Sequence, residues 1–95
     1  MDRVIQPPVS ELKSLSYQVV DDVLNGEDPG AIGHLVSADL VVHGPGSDSE
    51  TLGRDAFERE LNAWRRAVPN SEDVIESSVG EGDTVVIFCT RRGTL

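Results

Sequence analysis

A short apolar run, Leu40-Val41-Val42, delivers His43 to the breaker cluster Gly44-Pro45-Gly46, and a helical pattern then runs from Gly53 to Pro69. This order constrains the fold more than any other feature of the chain. Branched apolar residues that meet Gly and Pro read as a strand entering a turn, here a strand over 39–43. Residues 44–50 are the turn, and Thr51-Leu52 reads as the returning arm of a small hairpin. From Arg54, the residues Ala56, Phe57, Leu61, Trp64 and Val68 share one side of a helix over 54–68. Pro69 stops that helix, because it lacks the N–H of the next turn and pushes the residue before it out of helical space.

Two more helices precede the hairpin. Leu12, Leu15, Val19, Val20, Val23 and Leu24 recur at helical spacing, which predicts an amphipathic helix over 9–25 with Asn25-Gly26 as its stop. Asp28-Pro29 opens a short helix over 29–36, with an acid at the cap and proline at the first helical position. After the third helix come two strands, 73–80 and 84–92, joined by Gly80-Glu81-Gly82-Asp83. The second, Thr84-Val85-Val86-Ile87-Phe88-Cys89-Thr90, is apolar on both parities, so both of its faces need cover. Helices supply one cover; a second chain is the expected source of the other. The expected class is therefore α+β, with three helices against antiparallel strands. Residues 1–8 read as a tail stiffened by Pro7-Pro8, and residues 9–95 as one domain.

Charge and composition exclude several functions. The formal net charge is −9, with seven arginines and the single Lys13 against seventeen acids. Phosphate backbones need a basic face, so no nucleic-acid partner is expected. Such acidity reads as a solubilising surface or as adaptation to high salt, where it is screened. No apolar run approaches the about 20 residues of a membrane span, and residues 1–8 lack a signal core, so no membrane is expected and cytoplasm is the default location. Cys89 is the only cysteine, which excludes an internal disulfide and reads as a small buried thiol. His34 and His43 stand nine apart on different elements, so no metal site is expected. No cofactor signature is present.

Several features in order resemble the SnoaL-like polyketide cyclase family of the nuclear transport factor 2-like superfamily. They are Val23-Leu24-Asn25-Gly26-Glu27-Asp28, Leu40-Val41-Val42-His43-Gly44-Pro45, Gly53-Arg54-Asp55-Ala56-Phe57, Val68-Pro69, Glu81-Gly82-Asp83-Thr84-Val85 and Gly93-Thr94. The resemblance implies a curved sheet wrapped around helices into a cone with an apolar cavity, and pairing of two copies through the sheet. It also implies ring-closing, isomerising or purely ligand-binding relatives, so it leaves the specific activity open. The family pattern continues past the Gly-Thr pair with a histidine and further long strands. The resemblance therefore implies an incomplete domain over 9–95, in which the acid/base of the cyclases has no counterpart.

His43 is the candidate catalytic residue. At a strand end beside a Gly-Pro turn it either bonds the turn backbone or faces the cavity mouth, where its ring could polarise a carbonyl or move a proton. Tyr17, Phe57, Trp64 and Phe88 are the whole aromatic supply. They serve as core or, around a cavity, as the expected ligand-binding residues, with Tyr17 and Trp64 giving polar tips. The expected partners are a small apolar, carbonyl-bearing metabolite and a second copy of the chain. Arg54 reads as the partner of a nearby acid, and Arg65-Arg66 and Arg91-Arg92 as surface pairs.

Overall fold

The computed structural model describes residues 8–44 and 50–94. All of the expected tail but Pro8, and most of the Gly/Pro turn, lie outside the described residues.

Helix α1 (Val9–Gln18) begins at Pro8, whose extended backbone (ψ 153°) supplies the entry, and carries Glu11 in its first turn, where an acid favours the helix dipole. It does not continue as a plain α-helix to residue 25. Val19–Leu24 form a wider π-helical turn, closed by Asn25 N–H donating to the Val20 carbonyl at 2.8 Å. Gly26, at φ 75°, then reverses the chain. The widened turn brings Val20 and Val23 together into the core, at 5% and 1% exposure. Pro29–Ala31 make a 3-10 turn that leads into the single-turn helix α2 (Ile32–Leu35). Ala31 and Ile32 bury themselves against the π-turn, and Val68 is the fifth buried apolar residue among those described.

Strands β1 (Val41–His43) and β2 (Glu50–Leu52) pair antiparallel, with Val41 opposite Leu52 and His43 opposite Glu50. Gly53, at φ 89°, then turns the chain straight into helix α3 (Arg54–Ala67). The turn is held from both sides: Gly53 N–H donates to the Leu40 carbonyl at 2.6 Å and Arg54 N–H to Ala38 at 3.1 Å. A side chain at position 53 would face a strained backbone, so glycine is required there. Among the described residues Arg54 pairs with no acid. Its Nη1 donates to the carbonyls of Gly33 and Val36 at 3.1 and 2.9 Å, closing the end of α2. Arg65 is not a surface group either. Its Nη2 donates to the Val23 and Leu24 carbonyls under Gly26 and caps the end of the π-turn.

After Val68, held out of helical space (φ −133°) before Pro69, strands β3 (Glu72–Glu81) and β4 (Thr84–Arg92) form a long antiparallel hairpin about Gly82-Asp83. Gly82 takes φ 59°, which this tight turn demands. A bulge at Glu76 shifts the register between Ile75 and Ser77. The α+β class and the elements match the sequence reading, but among the described residues the strands make two separate two-stranded ladders rather than one sheet.

Helix α1 lies across one face of the long ladder. It approaches so closely at Gly80 that an added Cβ would sit 2.6 Å from Val9 Cγ1. Tyr17 Oη and Ser78 Oγ share a hydrogen bond of 2.8 Å on the same face. Val85 and Ile87 point toward α1, half-buried. The alternate parity carries Val79, Val86 and Phe88, which are 58%, 48% and 53% exposed. Cys89 is exposed rather than buried. Its thiol is nonetheless pushed above the usual range, first by partial desolvation and then by the charges of Asp73 and Glu76, with Arg91 opposing.

Candidate functional site

The strongest polar feature of the fold is built around Asp73, the first inward residue of β3 and only 9% exposed. Two bonds tie its backbone to the end of the first helix. Asn25 Nδ2 donates to the Asp73 carbonyl at 2.9 Å, and Asp73 N–H donates to Asn25 Oδ1 at 2.7 Å. Its carboxylate takes a fork from Arg91, directly opposite in the ladder: Nε at 2.8 Å and Nη2 at 3.1 Å. Bidentate pairs of this kind fix the guanidinium plane as well as its position. The same guanidinium lies 5.3 Å from the centre of the Trp64 ring, within range of a cation–π contact. The hydrogen bonds to Asp73 hold Arg91 still more firmly in its charged form. Arg91 is therefore an oriented group and not a free surface charge.

Arg91 and Trp64 form one end of a cleft of about 380 Å³, whose other walls are Leu24, Val42, His43, Gly44, Thr51, Phe57, Glu60 and Leu61. Each wall has a sequence origin. Phe57, Glu60, Leu61 and Trp64 stand at helical spacing on α3, so one face of that helix lines the cleft. Val42 and His43 arrive on β1, and Leu24 comes from the π-turn. The lining is mainly apolar and aromatic, with a few polar groups at its margins, which is the make-up of a small-molecule site. Other concavities of similar size, about 440 Å³ beside Asp21, Glu27 and Glu72 and about 510 Å³ beside the β3–β4 turn, bring in no aromatic side chain.

Within the cleft the polar groups are partnered in distinct ways. Thr51 Oγ1 donates to Glu60 Oε1 at 2.6 Å. His43 Nδ1 stands 3.5 Å from Glu50 Oε2, its cross-strand neighbour, and the imidazole is three-quarters exposed at the mouth. Ser37 donates to Asp39 at the foot of β1 and lowers the pKa of that carboxyl. No group of three or more potential metal ligands occurs among the described residues.

The structure thus brings His43, Phe57 and Trp64 to one cleft and places the other two aromatic candidates elsewhere. Tyr17 fastens α1 to β3 through Ser78, and Phe88 faces away from the helices because its parity is opposite to that of Val85 and Ile87. The sequence reading did not single out Glu60, and it took Arg91 with Arg92 as a surface pair, whereas Arg91 is held by Asp73 and Trp64. Both carried a signal. Glu60 interrupts the apolar stripe Phe57-Leu61-Trp64, and Arg91 shares the inward parity of Val85 and Ile87.

The chain belongs to the SnoaL-like polyketide cyclase family, whose model matches residues 14–95. The crystal structure of a candidate polyketide cyclase from Sinorhizobium meliloti superposes with a TM-score of 0.73, covering 94% of this chain and 78% of its own, at 17% identity. That likeness establishes a shared nuclear transport factor 2-like fold. No curated protein matches the sequence. No helix among the described residues is long and apolar enough to cross a membrane.

Proposed function

We propose that the chain is a small-molecule-binding domain whose ligand, an apolar ring compound bearing a carbonyl, lies in the cleft between α3, the β1–β2 hairpin and Arg91. The observation that carries this reading is the convergence of Leu24, Val42, Phe57, Leu61 and Trp64 from three elements onto one concavity. Apolar walls supply affinity and the few polar groups at the margin supply orientation. Trp64 is the only tryptophan, so its emission reports on this cleft and on the smaller concavity it borders with Val68 and Arg92. Titration with bicyclic aromatic ketones is expected to change that emission saturably. Phe57→Ala, checked for folding by circular dichroism, is expected to weaken binding by about tenfold. A flat titration, or affinity unchanged in the folded variant, would remove the reading.

A second reading, proton transfer on the bound carbonyl compound, is favoured by His43. Glu50 beside Nδ1 supports the imidazole, leaving the other ring nitrogen to take a proton next to a carbonyl. Deuterium exchange at that carbon should be catalysed by the wild type and lost in His43→Ala. Exchange at equal rates in both would exclude His43 as the base.

The bare face formed by Val79, Val86 and Phe88 is proposed to receive a second copy of the chain, since three large apolar side chains stand exposed together there. Sedimentation should then show a dimer that Val86→Glu dissociates; an unaltered mass in that variant would reject the interface.

A further inference from the structure

We propose that Arg91 is the residue that sets ligand choice, and that the ligand it selects carries a carboxylate on a flat ring; this rests on the cleft being the binding site. The guanidinium is prepared for such a group on three sides. Asp73, nine-tenths buried, occupies Nε and Nη2 and fixes the plane. Trp64 covers one face of the cation at 5.3 Å. Nη1 holds no hydrogen bond among the described residues, and Arg91 borders the cleft. A cation held in place by neighbours loses little freedom when a carboxylate joins it, which makes it a better anion receptor than a mobile surface arginine. The ring of the ligand then lies against the aromatic wall that Trp64 continues into Phe57.

The charges of the cleft also set the direction of the ligand. Glu60 is a carboxylate and repels an anion, and its bond from Thr51 keeps it on the β2 side. A ligand carboxylate is therefore directed to the Arg91 end, and any hydroxyl of the ligand is best placed toward Glu60, which accepts a hydrogen bond. Asp73 touches no ligand in this scheme. It is a positioning residue that acts through Arg91.

The test compares two probes of one shape, 2-naphthoate and 2-naphthamide, by calorimetry. The wild type is expected to bind the carboxylate about tenfold more tightly, the scale of one added charge-assisted hydrogen bond at a partly exposed site. Arg91→Gln should abolish that preference, bringing the ratio of the two affinities close to one. The double variant Asp73→Asn, Arg91→Gln removes both buried and exposed charge and serves if the single variant does not fold. Asp73→Asn alone should reduce the preference, because the guanidinium is no longer held. On the wild type itself, raising salt from about 0.05 to about 0.5 M should weaken naphthoate and not naphthamide binding. Equal wild-type affinity for the two probes, a preference that survives in a folded Arg91 variant, or salt-independent naphthoate binding overturns the assignment while the cleft reading stands. Binding of neither probe, together with a flat ketone titration, overturns both.

Discussion

The two hairpins of this chain are built for different tasks. The β3–β4 hairpin has strands of ten and nine residues, a backing helix, and a buried acid–arginine fork across its open end. The β1–β2 hairpin has strands of three residues each, with no buried residue in either, and a cross-strand His43–Glu50 pair that is mostly in water. A long ladder with one face against a helix has its register fixed, because a slip of one residue would turn Val85 and Ile87 outward and Val86 and Phe88 inward. The short hairpin cannot hold itself. It is held by Gly53 and Arg54, whose N–H groups reach back to Leu40 and Ala38. The rigid hairpin therefore supplies the oriented guanidinium, and the tethered one supplies the exposed imidazole on the other side of the same cleft.

That contrast can be broken most forcefully at Arg91. Arg91→Ala leaves Asp73 buried without its partner and should destabilise the protein by about 2–3 kcal/mol, less than a fully buried pair because the arginine is half exposed. Urea unfolding measures it; a loss under about 1 kcal/mol would mean that Asp73 finds water or another donor. Val23→Ala comes next, since it removes two methyl groups from the tightest part of the core at an expected cost of about 2 kcal/mol. The π-turn unites the cleft wall at Leu24 with the anchor at Asn25, so hydrogen exchange in this variant should rise at both.

Smaller effects sharpen the comparison. His43→Ala should change stability by no more than about 0.5 kcal/mol, as expected of an exposed residue on a tethered hairpin. A larger loss would show that the short hairpin depends on the Glu50 pair after all. The smallest effect concerns Cys89. Its raised pKa leaves less thiolate at neutral pH than an ordinary exposed cysteine has, so alkylation should be slow there and should accelerate only as pH rises beyond the usual thiol midpoint. Removing the Asp73 charge by Asp73→Asn should shift that profile to lower pH, as one of the raising influences is gone. An unmoved profile would leave desolvation and the Glu76 charge as the raising causes.

Local pattern made much of this architecture legible. Helix α3 falls between Gly53 and Pro69 as its flanking residues require, and the β3–β4 turn sits on Gly82 because a positive φ is needed there. The site was only half legible. Phe57 and Trp64 are visible as a helical stripe and His43 as a strand end, but aromatic type alone does not tell a cleft wall from a fastener such as Tyr17 or an outward residue such as Phe88. Arg54 and Arg65 illustrate the same limit. Each was legible as a charge, yet each spends it on the carbonyls at the end of an earlier helix, 18 to 42 residues away in the chain.

The sequence by itself determined the α+β class, the order of the elements and the places where each must stop, because periodicity, glycine and proline act over a few residues. Only the tertiary structure decided that the first helix widens to bury Val20 and Val23 together, that the strands divide into two ladders, and that Asp73, Arg91 and Trp64 form one unit at the edge of a cleft. These depend on contacts between residues far apart in the chain, and a hydrogen-bonding or charged side chain does not announce its distant partner. What began in the sequence as a histidine at a turn thus gained its setting from an arginine held in place on the opposite hairpin.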